Sequence, residues 1–297
     1  MKQRVGIIGT GNMGAGMALC LLERGFEVHV HDIHAEAAQH CGQHGAIVCA
    51  NAAEVAQACD FLIIAVVDTA QVWQVLEGGA GALLRAARLP QTVCLCPTIS
   101  PQDVQALAAP IMAAGMAVID APMSGGPARA RDGSMSLMLA GSLQALQRHQ
   151  AVLDALSSKQ FFIGERLGDA ATTKLVNNLL AGINLVGAAQ AMLLAQKMGL
   201  DWNRTLDVIE SSSGQSWIGS DRMRRAGVGD YAPRAHVGLL RKDTRLALNM
   251  AQGLGLPLDL GEAAARVFAH TDQDGWADSD DAAVFAWLAA QQSANKA

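Results

Sequence analysis

The stretch VGIIGTGNMGAGMA, Val5 to Ala18, decides how this chain is read. It joins an apolar, strand-like run to a helix-like one through Gly9, Gly11 and Gly14, a G-x-G-x-x-G. The first glycine permits a tight turn, the second lets the main chain approach a pyrophosphate, and the third lets helix and strand pack closely. The phosphates then sit at a helix N-terminus, where free N–H groups and the dipole favour an anion. Gly9, Gly11, Asn12, Met13 and Gly14 are therefore the candidate cofactor-binding turn. The following strand-like run, EVHVHD, ends on Asp32, 18 residues after Gly14. A carboxylate there accepts hydrogen bonds from the adenosine ribose and repels a 2′-phosphate, and Ile33 and His34 beside it supply no arginine. NAD is expected as cofactor in preference to NADP. A lone G-x-G-x-x-G is weak evidence, and a glycine turn followed by a solvated Asp is the plain alternative; the strand, turn and helix around it favour the nucleotide.

Outward from that turn, short β-like runs (FLIIAVV at 61–67, TVCLCP at 92–97, MAVIDAP at 116–122, SMSLMLAG at 134–141 and QFFIG at 160–164) alternate with helix-like ones, among them 70–86 and 142–156. This alternation predicts βαβ units on a mostly parallel sheet, and continuous apolar runs such as FLIIAVV predict strands covered on both faces. After Gly164 only helical spacing continues, over 169–198, 203–212, 215–226, 236–254, 260–273 and 279–293. The expected architecture is an α/β Rossmann domain, doubly wound, over 1–164, followed by an all-α domain over 165–297.

Composition bounds the partners. The 297 residues are 51% apolar and 16% charged, with a net charge of −5 and no basic run, so nucleic-acid binding is excluded. The longest apolar stretch, 179–195, is broken by Asn184 and Gln190, and no membrane partner is expected. The first strand-like run begins at Arg4, which leaves no room for a cleavable signal and points to the cytoplasm. Six cysteines without C-x-x-C spacing read as reduced core residues. His40 and His44 could share a helical face, but no Asp, Glu or Cys completes a zinc-type set, and no metal is expected.

Two further segments carry chemistry. TTKLVNNLLAG, 172–182, places Lys174 and Asn178 one helical turn apart, with Asn177 beside them. A metal-free dehydrogenase needs a group that protonates an oxygen as hydride reaches the carbonyl carbon, and a partly desolvated lysine can do this in both directions. Read alone, the segment fits a solvated polar stripe better. DAPMSGG, 120–126, sets two glycines after Ser124, a nest of main-chain N–H groups suited to a carboxylate, or else an ordinary glycine turn.

Four motifs in order, GTGNMGAGMA, DAPMSGG, KLVNNLLAG and RKDTRLAL, resemble the β-hydroxyacid dehydrogenase family, which includes 3-hydroxyisobutyrate dehydrogenase, tartronate semialdehyde reductase and L-threonate dehydrogenase. The resemblance covers essentially the whole chain. It implies that Lys174 is the general acid/base with Asn178 as its partner, and that Ser124, Gly125 and Gly126 hold the substrate carboxylate. Lys242 is implied on both substrate and cofactor, with Asp243 beside it; Thr98 in LCPTISP is implied near the nicotinamide, and Val66 and Val67 at the end of the strand that lines the cofactor. SSGQSWIGSDRM and GDYAPRAHVGLLRKD are most similar to the L-threonate dehydrogenase branch. The implied reaction is NAD-dependent hydride transfer between nicotinamide and a short hydroxy acid of three to five carbons or its oxo form, in a homodimer or homotetramer. Reduction of a small aldehyde such as glyoxylate, succinic semialdehyde or tartronate semialdehyde is the enzymatic alternative, and a non-catalytic dinucleotide-binding module the other. Imine reductases of related fold typically lack the lysine, and a 6-phosphogluconate-type enzyme is longer. The chain departs from the family pattern at Arg129, where a glycine is usual, at Ala170, at Pro97, and at Val66-Val67 in place of Leu-Pro. Because arginine takes positive φ only at a cost, Arg129 predicts either a rerouted turn or added positive charge near the substrate.

Overall fold

Central strands of the first half, such as Phe61–Ile64, are buried at every position because helices cover both faces of the sheet. The computed structural model describes residues 3–294 and divides at Lys174/Leu175 into two compact units. In the first, β1 (Arg4–Ile8), β2 (Glu27–His31), β3 (Ile47–Val48), β4 (Phe61–Ile64), β5 (Thr92–Leu95) and β6 (Ala117–Asp120) lie parallel in the order β3-β2-β1-β4-β5-β6. This is the dinucleotide-binding order, with its reversal between β1 and β4. Three more strands extend the sheet: β8 (Met135–Gly141) runs antiparallel to β6 and to β7 (Met123–Ser124), and β9 (Ser157–Gly164) runs parallel to β8.

Side chains in a strand alternate between faces, and here each face has its own core. Val5, Ile7, Phe61, Ile63, Cys94 and Cys96 point to one side, where Met17 and Leu21 of α1 (Asn12–Glu23), Cys41 of α2 (Ala35–Gln43), Ala130 of α6 (Gly126–Asp132), Leu146 of α7 (Leu143–Arg148) and Val152 of α8 (Gln150–Leu156) cover them. Ile8, Leu62, Ile64, Val93 and Leu95 point to the other, under Val55 of α3 (Ala52–Ala58), Val72 and Leu76 of α4 (Thr69–Glu77) and Val104, Leu107 and Ile111 of α5 (Pro101–Ala113). A one-residue slip would exchange the two sets, so the double burial fixes the register. Five of the six cysteines are buried and all six are free thiols, with Cys59 pushed up to about 12 by burial.

Several boundaries differ from the sequence expectation. The helix expected over 70–86 stops at Glu77, because Gly78 and Gly79 follow and Gly79 takes φ +88°. The helix expected over 142–156 breaks at His149, whose φ of −112° and ψ of 18° lie outside the helical range. The expected glycine turn is confined to Gly125, between strand β7 and helix α6. Pro127 in its first turn suits a helix start, where its missing N–H goes unused.

Helix α9 (Asp169–Lys197) carries the chain from the first unit into the second, which is entirely helical: α10 (Trp202–Glu210), α11 (Trp217–Gly227), α12 (Val237–Gly253), α13 (Asp259–Thr271) and α14 (Val284–Ala294). By length and composition alone α9 could span a bilayer, and 39% of its apolar window is buried. Asp201 and Ser216 cap α10 and α11 through the N–H groups of Arg204 and Gly219. The core gathers Leu185, Met192, Leu206, Met223, Val237, Leu240 and Phe268. It also holds buried charge: Arg222 grips Asp281 with Nε–Oδ1 2.6 Å and Nη2–Oδ2 3.0 Å, while Arg225 Nη2 meets Asp280 Oδ1 at 2.6 Å. Asp280 also accepts the Arg234 N–H at 2.8 Å, which anchors the GDYAPR segment to the turn before α14.

Candidate functional site

The glycine turn is built for an anion. Gly11 caps α1 with no side chain of its own, no acidic residue lies in the first turn, and a Cβ at Gly11 would meet nothing within 4 Å. The N–H groups of the first turn of α1, which have no partners within the helix, therefore border open space where an anion is favoured. Gly14 has the opposite environment: a Cβ there would lie 1.8 Å from the Gly9 carbonyl oxygen, so helix and strand touch main chain to main chain. Asp32 follows β2 and is held in place. Its Oδ2 accepts the Thr10 N–H at 2.6 Å and the Thr10 hydroxyl at 3.3 Å, and its Oδ1 accepts the His34 N–H at 2.8 Å. Oδ1 keeps a lone pair for a ribose hydroxyl, while Oδ2 is taken up by Thr10. These residues fit a dinucleotide, which would supply the hydride acceptor.

Val66 and Val67 require a correction. The strand β4 ends at Ile64, so both valines lie in the turn that leads to α4, because the Val67 N–H is taken by Gln71 Oε1 at 2.9 Å and Asp68 caps the helix. Val66 packs on the sheet while Val67 is half exposed. Thr98 lies past β5 in the turn before Ser100, which caps α5 by accepting the Asp103 N–H at 3.0 Å. All of these positions lie beyond the carboxyl ends of parallel strands, where open α/β sheets bind their ligands.

Ser124 ends β7, and the next two residues take conformations only glycine adopts cheaply: Gly125 at φ +136° and Gly126 at φ +72°. Arg129 is helical instead, and among the described residues none other than glycine has positive φ, so the turn is not strained there. A Cβ at Gly125 would strike the Arg129 side chain at 2.8 Å, which places the arginine stem across the Ser-Gly-Gly turn with its charge exposed nearby. Ala130 is fully buried against α1, where a Cβ at Gly16 would meet it at 3.0 Å.

Lys174 lies in the second turn of α9 and is 8% exposed. The solvated polar stripe is thereby ruled out for this residue. In the helical unit, Asp243 on α12 is 6% exposed; it accepts the Asn178 amide at 2.6 Å and pairs with the Lys242 ammonium at 2.8 Å. Asn177 donates to Asn178 Oδ1 at 3.1 Å, which holds the amide orientation. Asn178, Lys242 and Asp243 are therefore brought together, with Asn177 in support. Among the described residues, no group of three His, Cys, Asp or Glu side chains could hold a metal; His40 and His44 stack with ring centres 4.9 Å apart.

Two residues escaped the sequence reading. Thr10 orients Asp32, and Asp120 at the end of β6 accepts main-chain N–H groups at the start of α9. The signal for Asp120 was a carboxylate closing an otherwise apolar strand, MAVID.

The chain is similar to known proteins over nearly its whole length. Residues 4–164 match the family profile described as the NAD binding domain of 6-phosphogluconate dehydrogenase, and residues 168–288 match that described as NAD-binding of NADP-dependent 3-hydroxyisobutyrate dehydrogenase. L-threonate dehydrogenase of Cupriavidus necator is 36% identical over 286 residues, 96% of this chain and 95% of that protein. Mitochondrial 3-hydroxyisobutyrate dehydrogenase of Drosophila melanogaster is 32% identical over 95% of this chain and 88% of its own length. A crystal structure of 3-hydroxyisobutyrate dehydrogenase from Salmonella typhimurium superposes with a TM-score of 0.86 at 36% identity, covering 96% of this chain and 99% of that one. With a nucleotide turn, a buried lysine and full-length likeness to these enzymes, the chain belongs to the β-hydroxyacid dehydrogenase family and is an NAD(P)-dependent 3-hydroxyacid dehydrogenase.

Proposed function

We propose that the enzyme oxidises a short β-hydroxy acid with NAD, and that its substrate is L-threonate or a related hydroxy acid of three to five carbons. The observation that carries the reading is the burial of Lys174 in the second turn of α9. Burial disfavours the ammonium and brings a lysine toward a working acid/base range. In oxidation Lys174 Nζ takes the hydroxyl proton as hydride leaves the same carbon; in reduction it returns that proton to the carbonyl oxygen. Ser124 and the main chain of Gly125 and Gly126 hold the substrate carboxylate, with Arg129 adding positive charge beside them. Asn178 and Lys242, fixed by Asp243, position substrate and cofactor. Support for L-threonate comes from the relatives, since the Cupriavidus enzyme bears that name at 36% identity. A panel containing L-threonate, D-glycerate and 3-hydroxyisobutyrate, followed by NADH absorbance, tests this. The highest kcat/KM is expected on L-threonate, and faster reduction of glyoxylate or succinic semialdehyde would favour the aldehyde reading.

The preference for NAD rests on Asp32, whose carboxylate is fixed at the ribose end of the turn by Thr10 and His34. One family profile carries NADP in its description, which makes the choice worth measuring. Asp32→Ala is expected to lower kcat/KM with NAD by about tenfold, the loss of roughly one charge-assisted hydrogen bond, while kcat/KM with NADP holds or rises. An unchanged NAD/NADP ratio would remove Asp32 from cofactor selection. We further propose a cytoplasmic homo-oligomer, a homodimer or homotetramer. Six free thiols suit a reducing compartment, and Val176, Leu180 and Leu194 along α9 and Met198 just past it expose more than half their surface.

A further inference from the structure

We propose that Asp120 is the positioning residue for Lys174: its buried carboxylate clamps the first turn of α9 and so sets the direction from which the ammonium reaches the reacting oxygen. The inference rests on Lys174 being the acid/base. Asp120 is 1% exposed at the end of β6, and its Oδ2 accepts the N–H groups of Gly168 and Ala171, both at 3.0 Å. These are among the N–H groups that a helix start leaves without partners.

The cap has to come from elsewhere in the fold. Gly168 occupies the cap position, since its carbonyl accepts the Thr172 N–H at 2.9 Å, but it takes φ +97° and a Cβ there would lie 3.0 Å from the Pro101 carbonyl oxygen. A Ser or Asp at 168 could not adopt that backbone cheaply. Asp169, next in line, spends its carboxylate on Arg166. The clamp therefore ties α9 to the sheet through one side chain. Lys174 follows Ala171 by three residues, a rise of about 4.5 Å, and helical side chains lean back toward the N-terminus. The lysine thus projects toward the clamped turn.

Stability alone does not call for a carboxylate here. Burial raises the Asp120 pKa to about 6, against the pull of the N–H groups of Ala171, Gly168 and Ala170. The ionisable groups around it are Asp169 of α9, whose charge pushes it further up, and the buried Cys94 thiol of β5, which Asp120 pushes up in turn. Because the folded pKa lies above the unfolded one, protonation stabilises the fold at low pH, and that gain is lost as pH rises through about 6. At about pH 8 the ionised carboxylate weighs against folding, and a neutral amide of the same shape would not. What the charge supplies is the stronger, charge-assisted pair of hydrogen bonds to the helix start.

Asp120→Asn and Asp120→Ala in the full chain test this. Asp120→Asn is expected to keep or raise Tm at about pH 8 and to bind NAD with unchanged Kd. Its kcat should fall about ten- to hundredfold, the effect of misplacing a catalytic group by a fraction of an ångström. Hydrogen exchange over 168–174 should quicken, and Asp120→Ala should show the larger loss. In the reduction direction Lys174 must be protonated to deliver its proton to the carbonyl oxygen. The acid limb of the wild type near pH 6 then belongs to Asp120 and is absent from Asp120→Asn. A kcat within about twofold of wild type in Asp120→Asn overturns the proposal, whether or not exchange quickens. Should Lys174→Ala turn over normally, the acid/base reading itself fails; an inactive Lys174→Ala beside a normal Asp120→Asn defeats only the clamp. If the wild type turns over no hydroxy acid, labelling of Lys174 by an amine-reactive reagent decides, and equal rates in all three proteins overturn the clamp.

Discussion

Lys174→Ala is expected to lower kcat by about 10²- to 10⁴-fold, the usual contribution of a positioned acid/base, and to leave the Kd for NAD unchanged. Alanine keeps the helix, since it is the best helix former, and the nucleotide turn at Gly9 to Gly14 lies on a different element. Only the proton-transfer step should suffer, so kcat and kcat/KM fall together. Lys174→Arg should rescue nothing: a guanidinium carries the charge but does not release its proton at working pH. Stopped-flow NADH absorbance with the best hydroxy acid, alongside fluorescence titration of NAD, separates the steps. A near-normal kcat in Lys174→Ala would take the lysine out of the chemistry, and weakened NAD binding would make it a cofactor ligand.

Gly14→Ala is expected to abolish useful NAD binding and to lower Tm by several degrees. The added methyl would lie 1.8 Å from the Gly9 carbonyl oxygen and 2.9 Å from its carbon, and both are main chain that cannot rotate aside. Either α1 lifts from β1 or the turn opens. Overpacking of this kind costs about 1–3 kcal/mol, or roughly 2–12 °C in a domain of this size. Gly11→Ala is the matching control. Its methyl would meet nothing within 4 Å, so Tm should hold while the Kd for NAD rises as the methyl enters the phosphate space. Calorimetry and NAD titration of both variants check the pair. Equal Tm loss in the two, or tight NAD binding by Gly14→Ala, would contradict the geometry.

The parallel sheet was legible in sequence because its strands are buried on both faces and its helices on one, so FLII and TVCL stand out as unbroken apolar runs. The short pieces were not legible. Strand β7 is two residues long and α6 seven, and Met123–Ser124 is a strand only because β8 pairs with it across the chain. Val66 and Val67 misled for a related reason: valine favours strands, but Gln71 and Asp68 claim the main chain there for a helix start. The nucleotide turn could be read because Gly9 and Gly14 have steric reasons to be glycine and Gly11 leaves the space in front of the helix open. Lys174 could not be separated from a surface lysine by pattern, since burial is a tertiary property. The Arg222–Asp281 and Arg225–Asp280 pairs were invisible for the same cause, because their partners lie about 55–59 positions apart along the chain.

The seam between α1 and α6 reaches further than packing. Ala130 sits where Gly16 leaves room, and Arg131 closes the seam on Glu23. One end of this pair of helices begins at the glycine turn and the other at Ser124–Gly126. Close-packed interfaces shift between discrete arrangements and do not deform smoothly. On the proposed reading, the two helices join the nucleotide turn and the carboxylate turn through one packed seam. A methyl group added at Gly16, inside what reads as pure nucleotide fingerprint, would be felt as a fault in substrate recognition.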